Sequence, residues 1–212
     1  MLSADQLARL TTHCEARYAC TIVTRDEGPV GVALDIVRTL ARLISPALAA
    51  ALDTLDVATG RVSTTLPLPT GTLIVLSPAA VADALAHART LIHEAVHARQ
   101  IQDLGGWQAT VDYLGSGELR ALREAHACVA AAWLEYLLTG ELPTDPSDVV
   151  RSLESHLYLL NEGERELARG IAASNLETIR EGGIPPLHVC LDLLGWLREH
   201  APEALAAHRT PT

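Results

Sequence analysis

The residues best suited to chemistry lie in one short segment, Leu91-Ile92-His93-Glu94-Ala95-Val96-His97-Ala98-Arg99-Gln100. Two histidines four positions apart, with a glutamate directly after the first, make the pattern H-E-x-x-H. On an α-helix a step of four turns the chain by about 400°, so both imidazoles leave one face, a turn apart. From there both rings can reach a single zinc ion at ~2.0–2.1 Å. Glu94 sits about 100° round the helix from His93, where a carboxylate reaches water at the metal without ligating it. Zinc acidifies that water, and Glu94 is the expected general base.

A catalytic zinc takes three protein ligands and keeps one position open. The next long helical stretch offers Glu118, Glu124, His126 and Glu135. Its bulky stripe is Leu119, Leu122, His126, Val129, Trp133 and Leu137. Its small stripe is Ala121, Glu124, Ala125, Cys128, Ala131 and Ala132. Small residues let two helix backbones approach, and Glu124 is the lone acid among them. An unpaired buried carboxylate is costly, and a metal partner removes the cost. The motif segment offers a matching face in Ala86, Thr90, His93, His97 and Gln100. Glu124 is therefore the expected third ligand, with His126 and Glu118 as alternatives. The competing reading for Glu124 is an ion pair with Arg99 or Arg120. Gln100 is placed to support His97 from behind. Tyr113, His156, Tyr158 and His188 are candidates for stabilising a developing oxyanion.

The elements that must carry these residues are readable from punctuation and periodicity. Ser3-Ala4-Asp5-Gln6 reads as a capping box opening a helix over 4–17. Residues 18–24, 61–65 and 72–76 read as strands, with 67–71 as a connection. Residues 31–55 read as helix interrupted at Pro46. Ser77-Pro78 predicts the start of the motif helix, which should stop at Gly105-Gly106. Helices are expected over 107–114, 118–138, 148–160, 164–181 and 187–200. The expected class is α+β and mostly helical, a motif helix packed on a small β-sheet with a helical C-terminal bundle. A metal-binding domain over 1–142 and a helical extension over 143–212 follow, the extension sharing the same core.

The 212 residues carry a formal charge of −10, and all 16 basic residues are arginine. The arginines are scattered, so no basic patch marks a nucleic-acid partner. No apolar run approaches the roughly 20 residues of a membrane helix. The start lacks a basic, apolar leader, so the expected location is cytoplasmic, with non-classical export as the other route. Cys14, Cys20, Cys128 and Cys190 form no CxxC pair and read as small buried hydrophobes.

The segment HEAVHARQ resembles the HExxHxxQ stretch of small gluzincin-type metallopeptidase domains, within the zincin class. Such domains often continue with a Gly turn, a Tyr-Leu pair and a helix carrying Glu before Ala. Here these are Gly105-Gly106, Tyr113-Leu114 and Arg123-Glu124-Ala125-His126. The resemblance covers about residues 72–138. A thermolysin-like NExxSD stretch is absent, and Gln100 and Asp103 stand where a metzincin has Gly and His. The resemblance implies a Zn2+-dependent hydrolase that cleaves a peptide or protein substrate. The alternative is a non-catalytic module in which the metal pins helices and the surface binds a partner.

Overall fold

The computed structural model describes residues 1–24, 63–68, 71–154 and 158–205. The expected helix over 31–55 and His156 lie outside the described residues. The fold is α+β and mostly helical, as the sequence implies. Helix α1 (Ala4–Arg17) opens on a complete Ser3/Gln6 capping box and leads into strand β1 (Cys20–Thr24). Strands β2 (Thr64–Leu68) and β3 (Gly71–Leu76) complete a three-stranded mixed sheet in the order β1-β3-β2. β3 runs parallel to β1, with Ile22 opposite Ile74, and antiparallel to β2, with Leu66 opposite Leu73.

β2 lies three residues further along than expected and includes Pro67. Proline cannot donate to a ladder, but β2 is an edge strand among the described residues, where a missing N–H is tolerated. The Ser63 hydroxyl accepts from the Ser77 backbone N–H at 2.9 Å and ties the start of β2 to the end of β3.

The motif helix also begins later than Ser77-Pro78 suggests. Ser77 does cap, but it caps a 3-10 turn over Pro78–Val81. Helix α2 (Ala84–Leu104) starts only after Asp83, whose extended backbone breaks the first turn and whose side chain accepts from Ala86 N–H at 2.8 Å. Gly105 ends α2 at φ 78°, a conformation that favours glycine. Helix α3 (Gly106–Gly115) follows at once. Helix α4 (Gly117–Thr139) starts on a Ser116 cap and ends on Gly140 in the left-handed region.

The expected helix over 148–160 is instead a short helix α5 (Pro146–Val149) and a 3-10 turn at Arg151–Glu154. Leu159 adopts φ 49°, which no continuing right-handed helix permits, and Arg120 holds its carbonyl at 3.3 Å. Helices α6 (Glu162–Arg180) and α7 (His188–His200) close the described chain. No described helix is long and apolar enough to cross a membrane.

Helix α4 is the axis of the packing. One side shares a core with α2, in which Ala88, Leu91, Ile92 and Ala95 meet Ala127, Ala130, Trp133 and Leu134. The other side packs on α6, where Ala121, Ala125 and Cys128 share a cluster with Ala168 and Ala172. Ala121, Ala125 and Cys128 of the small stripe expected against the motif helix thus pack on α6, while Glu124 faces α2. An alanine seam lets backbones approach closely and tolerates little added volume. Ala168→Leu should therefore destabilise the protein by about 1–3 kcal/mol through overpacking. Urea unfolding followed by circular dichroism checks this, and an unchanged midpoint contradicts the packing described.

Candidate metal centre

Helix α2 holds His93 and His97 one turn apart, and the two rings meet edge to face with centroids 5.0 Å apart. Their Nε2 atoms are 3.3 Å from each other. Helix α4 brings Glu124 against both, with Oε2 3.4 Å from His93 Nε2 and Oε1 3.5 Å from His97 Nε2. The ligating atoms of all three lie within 4.8 Å of one another, a group that could hold a metal ion. Glu124 is 4% exposed, and its Oε2 accepts no hydrogen bond. The His93 and His97 side chains keep 18% and 14% exposure, so the group is reachable from solvent.

The rings are held from behind. Gln100 faces His97 Nδ1 through Oε1 at 3.1 Å, while its Nε2 donates to the Arg123 carbonyl at 3.4 Å. A carbonyl only accepts, so this contact fixes the amide with its oxygen toward the ring. The neutral His97 ring then carries its proton on Nδ1, which leaves the Nε2 lone pair aimed into the group. Glu124 has its own support, because Tyr113 on α3 donates to Oε1 at 2.6 Å.

The other sequence candidates fall elsewhere. His126 is half-buried outside the group, and burial lowers its pKa. Glu118 is exposed in the first turn of α4. Glu135 pairs with Arg89 at 3.1 Å. Arg99 pairs with Asp103, and Arg120 donates to the Tyr113 and Leu159 carbonyls, so neither arginine neutralises Glu124. Tyr113 spends its hydroxyl on Glu124, and His188 is exposed at the start of α7. The Tyr158 phenol is raised by burial and then by Glu124, Cys128 and Glu94, against a hydrogen bond with Ser152 that lowers it. His87 is half-buried, although its place on the helix suggests exposure. All four cysteines are buried and free.

Glu94 is 4% exposed, and Thr65 on β2 donates to its Oε2 at 2.6 Å. Nothing in the sequence singles out Thr65, which is 29 residues away and acts through strand placement. Cys128 lies one turn after Glu124 on α4 and contacts His93. The i,i+4 spacing to Glu124 is its only sequence signal.

Comparison of the chain with known protein families, curated proteins and solved structures finds no match.

In the metal-free protein the group behaves as a coupled acid–base cluster. Burial disfavours a charged His93 ring, but contact with Cys128 and Glu124 outweighs it and raises the pKa well above 6.5. Burial likewise opposes charge on His97, and Glu124 reverses it upward. Burial would raise the Glu124 carboxyl, yet His97 and His93 hold it well below the carboxylate range. A raised histidine stabilises fully below the ordinary value of 6.5 and loses that contribution as pH rises through its folded pKa. The depressed Glu124 stabilises above its ordinary value of 4.5 and loses that contribution as pH falls toward its folded one. With chelator present, stability should therefore be greatest between 4.5 and 6.5 and decline on the alkaline side. Urea midpoints across this range and above test it, with His97→Ala expected to flatten the alkaline decline. A midpoint that climbs steadily with pH contradicts the coupling.

Proposed function

We propose that the protein is a zinc-dependent hydrolase of the HExxH class, with His93, His97 and Glu124 as metal ligands and Glu94 as general base. The observation that carries this reading is the spacing of the three donors. A tetrahedral zinc site with bonds of ~2.0–2.1 Å has ligand–ligand edges of roughly 3.3–3.4 Å. Here the two imidazole Nε2 atoms are 3.3 Å apart and His93 Nε2 is 3.4 Å from Glu124 Oε2, while His97 Nε2 is 3.5 Å from the other oxygen, Oε1. Two imidazoles and one carboxylate are also the donor set that zinc takes in hydrolytic sites, whereas calcium and magnesium prefer oxygen alone. The resemblance of residues 72–138 to small gluzincin-type domains points the same way.

A zinc ion held there supplies a Lewis acid that acidifies water and polarises a carbonyl. The protein's own residues supply the rest. His97 presents Nε2 because Gln100 keeps the proton on Nδ1. Thr65 fixes Glu94 through Oε2, which leaves Oε1 to take a proton from the attacking water and pass it to the leaving group. Among the described candidates, Tyr113 is bound to Glu124 and His188 is exposed, so Tyr158 is the residue we assign to the developing oxyanion. A peptide or protein is the substrate that the resemblance favours.

One observation favours a second reading, a zinc-pinned module without catalysis: Glu94 is as buried as Glu124 and already holds a hydrogen bond. Metal content and Glu94→Gln separate the readings. Wild type should retain about one zinc per chain by plasma mass spectrometry, and His93→Ala should lose it. Glu94→Gln should keep the zinc but slow cleavage of a peptide mixture by about 10²–10⁴-fold. A wild-type chain that takes up no zinc sinks the proposal. Zinc binding with no cleavage by wild type, or undiminished cleavage by Glu94→Gln, removes the catalytic part.

A further inference from the structure

Resting on the metal reading above, we infer that Tyr113 is a positioning residue that makes Glu124 a one-oxygen ligand. The two carboxylate oxygens of Glu124 are treated differently by the fold. Oε1 accepts a 2.6 Å hydrogen bond from the Tyr113 hydroxyl and lies 3.5 Å from His97 Nε2. Oε2 is buried, accepts nothing, and faces His93 Nε2 at 3.4 Å. A phenol at that distance draws density and direction from Oε1, so Oε2 is the oxygen free to ligate.

The clamp is built, not incidental. Arg123 is 8% exposed, and it donates from Nη1 to the Ala109 carbonyl at 2.7 Å and from Nη2 to Asp112 at 3.2 Å. Arg120, one turn earlier on α4, donates to the Tyr113 carbonyl at 2.8 Å and lies over the Tyr113 ring at 5.8 Å. Two arginines of α4 thus grip α3 at residues 109, 112 and 113, and the grip sets where the phenol points. Glu124 sits on the same helix as both arginines, so ligand and clamp move as one body. The consequence is specificity. A carboxylate that binds through both oxygens raises the coordination number and suits larger, harder cations. Held to one oxygen, it completes a three-ligand set and keeps a position open.

Cobalt(II) alone is the probe, because its visible absorption is intense in four-coordinate sites and weak at higher coordination. Tyr113→Phe keeps the ring and removes only the hydroxyl. Wild type should give the intense spectrum. The variant should bind cobalt about 10- to 100-fold more weakly, with a fainter, shifted spectrum and an unchanged far-ultraviolet circular dichroism trace. A second measurement needs no variant. The infrared difference between zinc-loaded and metal-free wild type should show the wide separation of carboxylate stretches that one-oxygen binding gives. Wild-type affinity and spectrum in Tyr113→Phe, or a narrow separation in wild type, overturns the inference while leaving the metal site standing. A wild type that binds neither cobalt nor zinc overturns both.

Discussion

One buried carboxylate governs this structure. Glu124 lies between α2 and α4 with almost no contact with solvent, beside a core built from alanine, leucine and larger apolar side chains such as Ile92 and Trp133. Removing an ion from water costs several kcal/mol even after relaxation. Nothing on α4 returns that cost, since its nearby arginines are committed to carbonyls and to Asp112. The compensation comes from the two imidazoles of α2 and from the Tyr113 hydroxyl. Imidazoles compensate a negative charge in two ways, by carrying a proton or by sharing a cation. The stability of the α2–α4 contact is therefore tied to whichever of these the solution supplies.

Positioning follows from that constraint. His93 and His97 share a helix, so their relative placement is set by helix geometry and needs no tertiary help. The acid comes from a second helix, so its placement depends on packing. The seam of Ala88 and Ala95 against Ala127 and Ala130 brings the backbones together, and Trp133, fully buried, fills the layer beyond. Helix α6 then backs α4 through a second alanine seam. The supporting hydrogen bonds come from three further places: Gln100 on α2 itself, Tyr113 on α3 and Thr65 on the sheet. The small sheet matters to the site chiefly because β2 delivers that one hydroxyl to Glu94.

What can be read from the residues alone follows the range of the interaction. The helix pair at 93 and 97, the capping box of α1 and the glycine stops after α2 and α4 are local, and each is found where the pattern puts it. Glu124 is legible because a lone acid in a small-residue stripe is a chemical anomaly. The stripe's partner is not, because alanine seams are symmetrical in sequence: Ala121, Ala125 and Cys128 of this one pack on α6, not α2. The late start of α2 escapes notice because Ser77 and Asp83 are both good caps, and only the three-dimensional path chooses between them. Residues 148–160 carry helical periodicity, but the hydrogen bond from Arg120 and the left-handed Leu159 override it. Thr65 and the Tyr113 clamp are contacts between elements, and no spacing rule encodes them.

The two acids next to the histidines have different environments, and the difference bears on what the site is for. Glu124 has cationic or metal-ligating partners and would be needed by any metal site, structural or catalytic. Glu94 has a neutral hydroxyl as its described partner and sits equally far from water. A site that only pinned helices would be served as well by glutamine there, which satisfies the same hydrogen bond without a buried charge. Retaining the acid carries a standing cost in stability. In the hydrolase reading proposed above, the return on that cost is a carboxylate that takes up and releases a proton; in the scaffolding reading, its burial and its bond to Thr65 are the whole of its role.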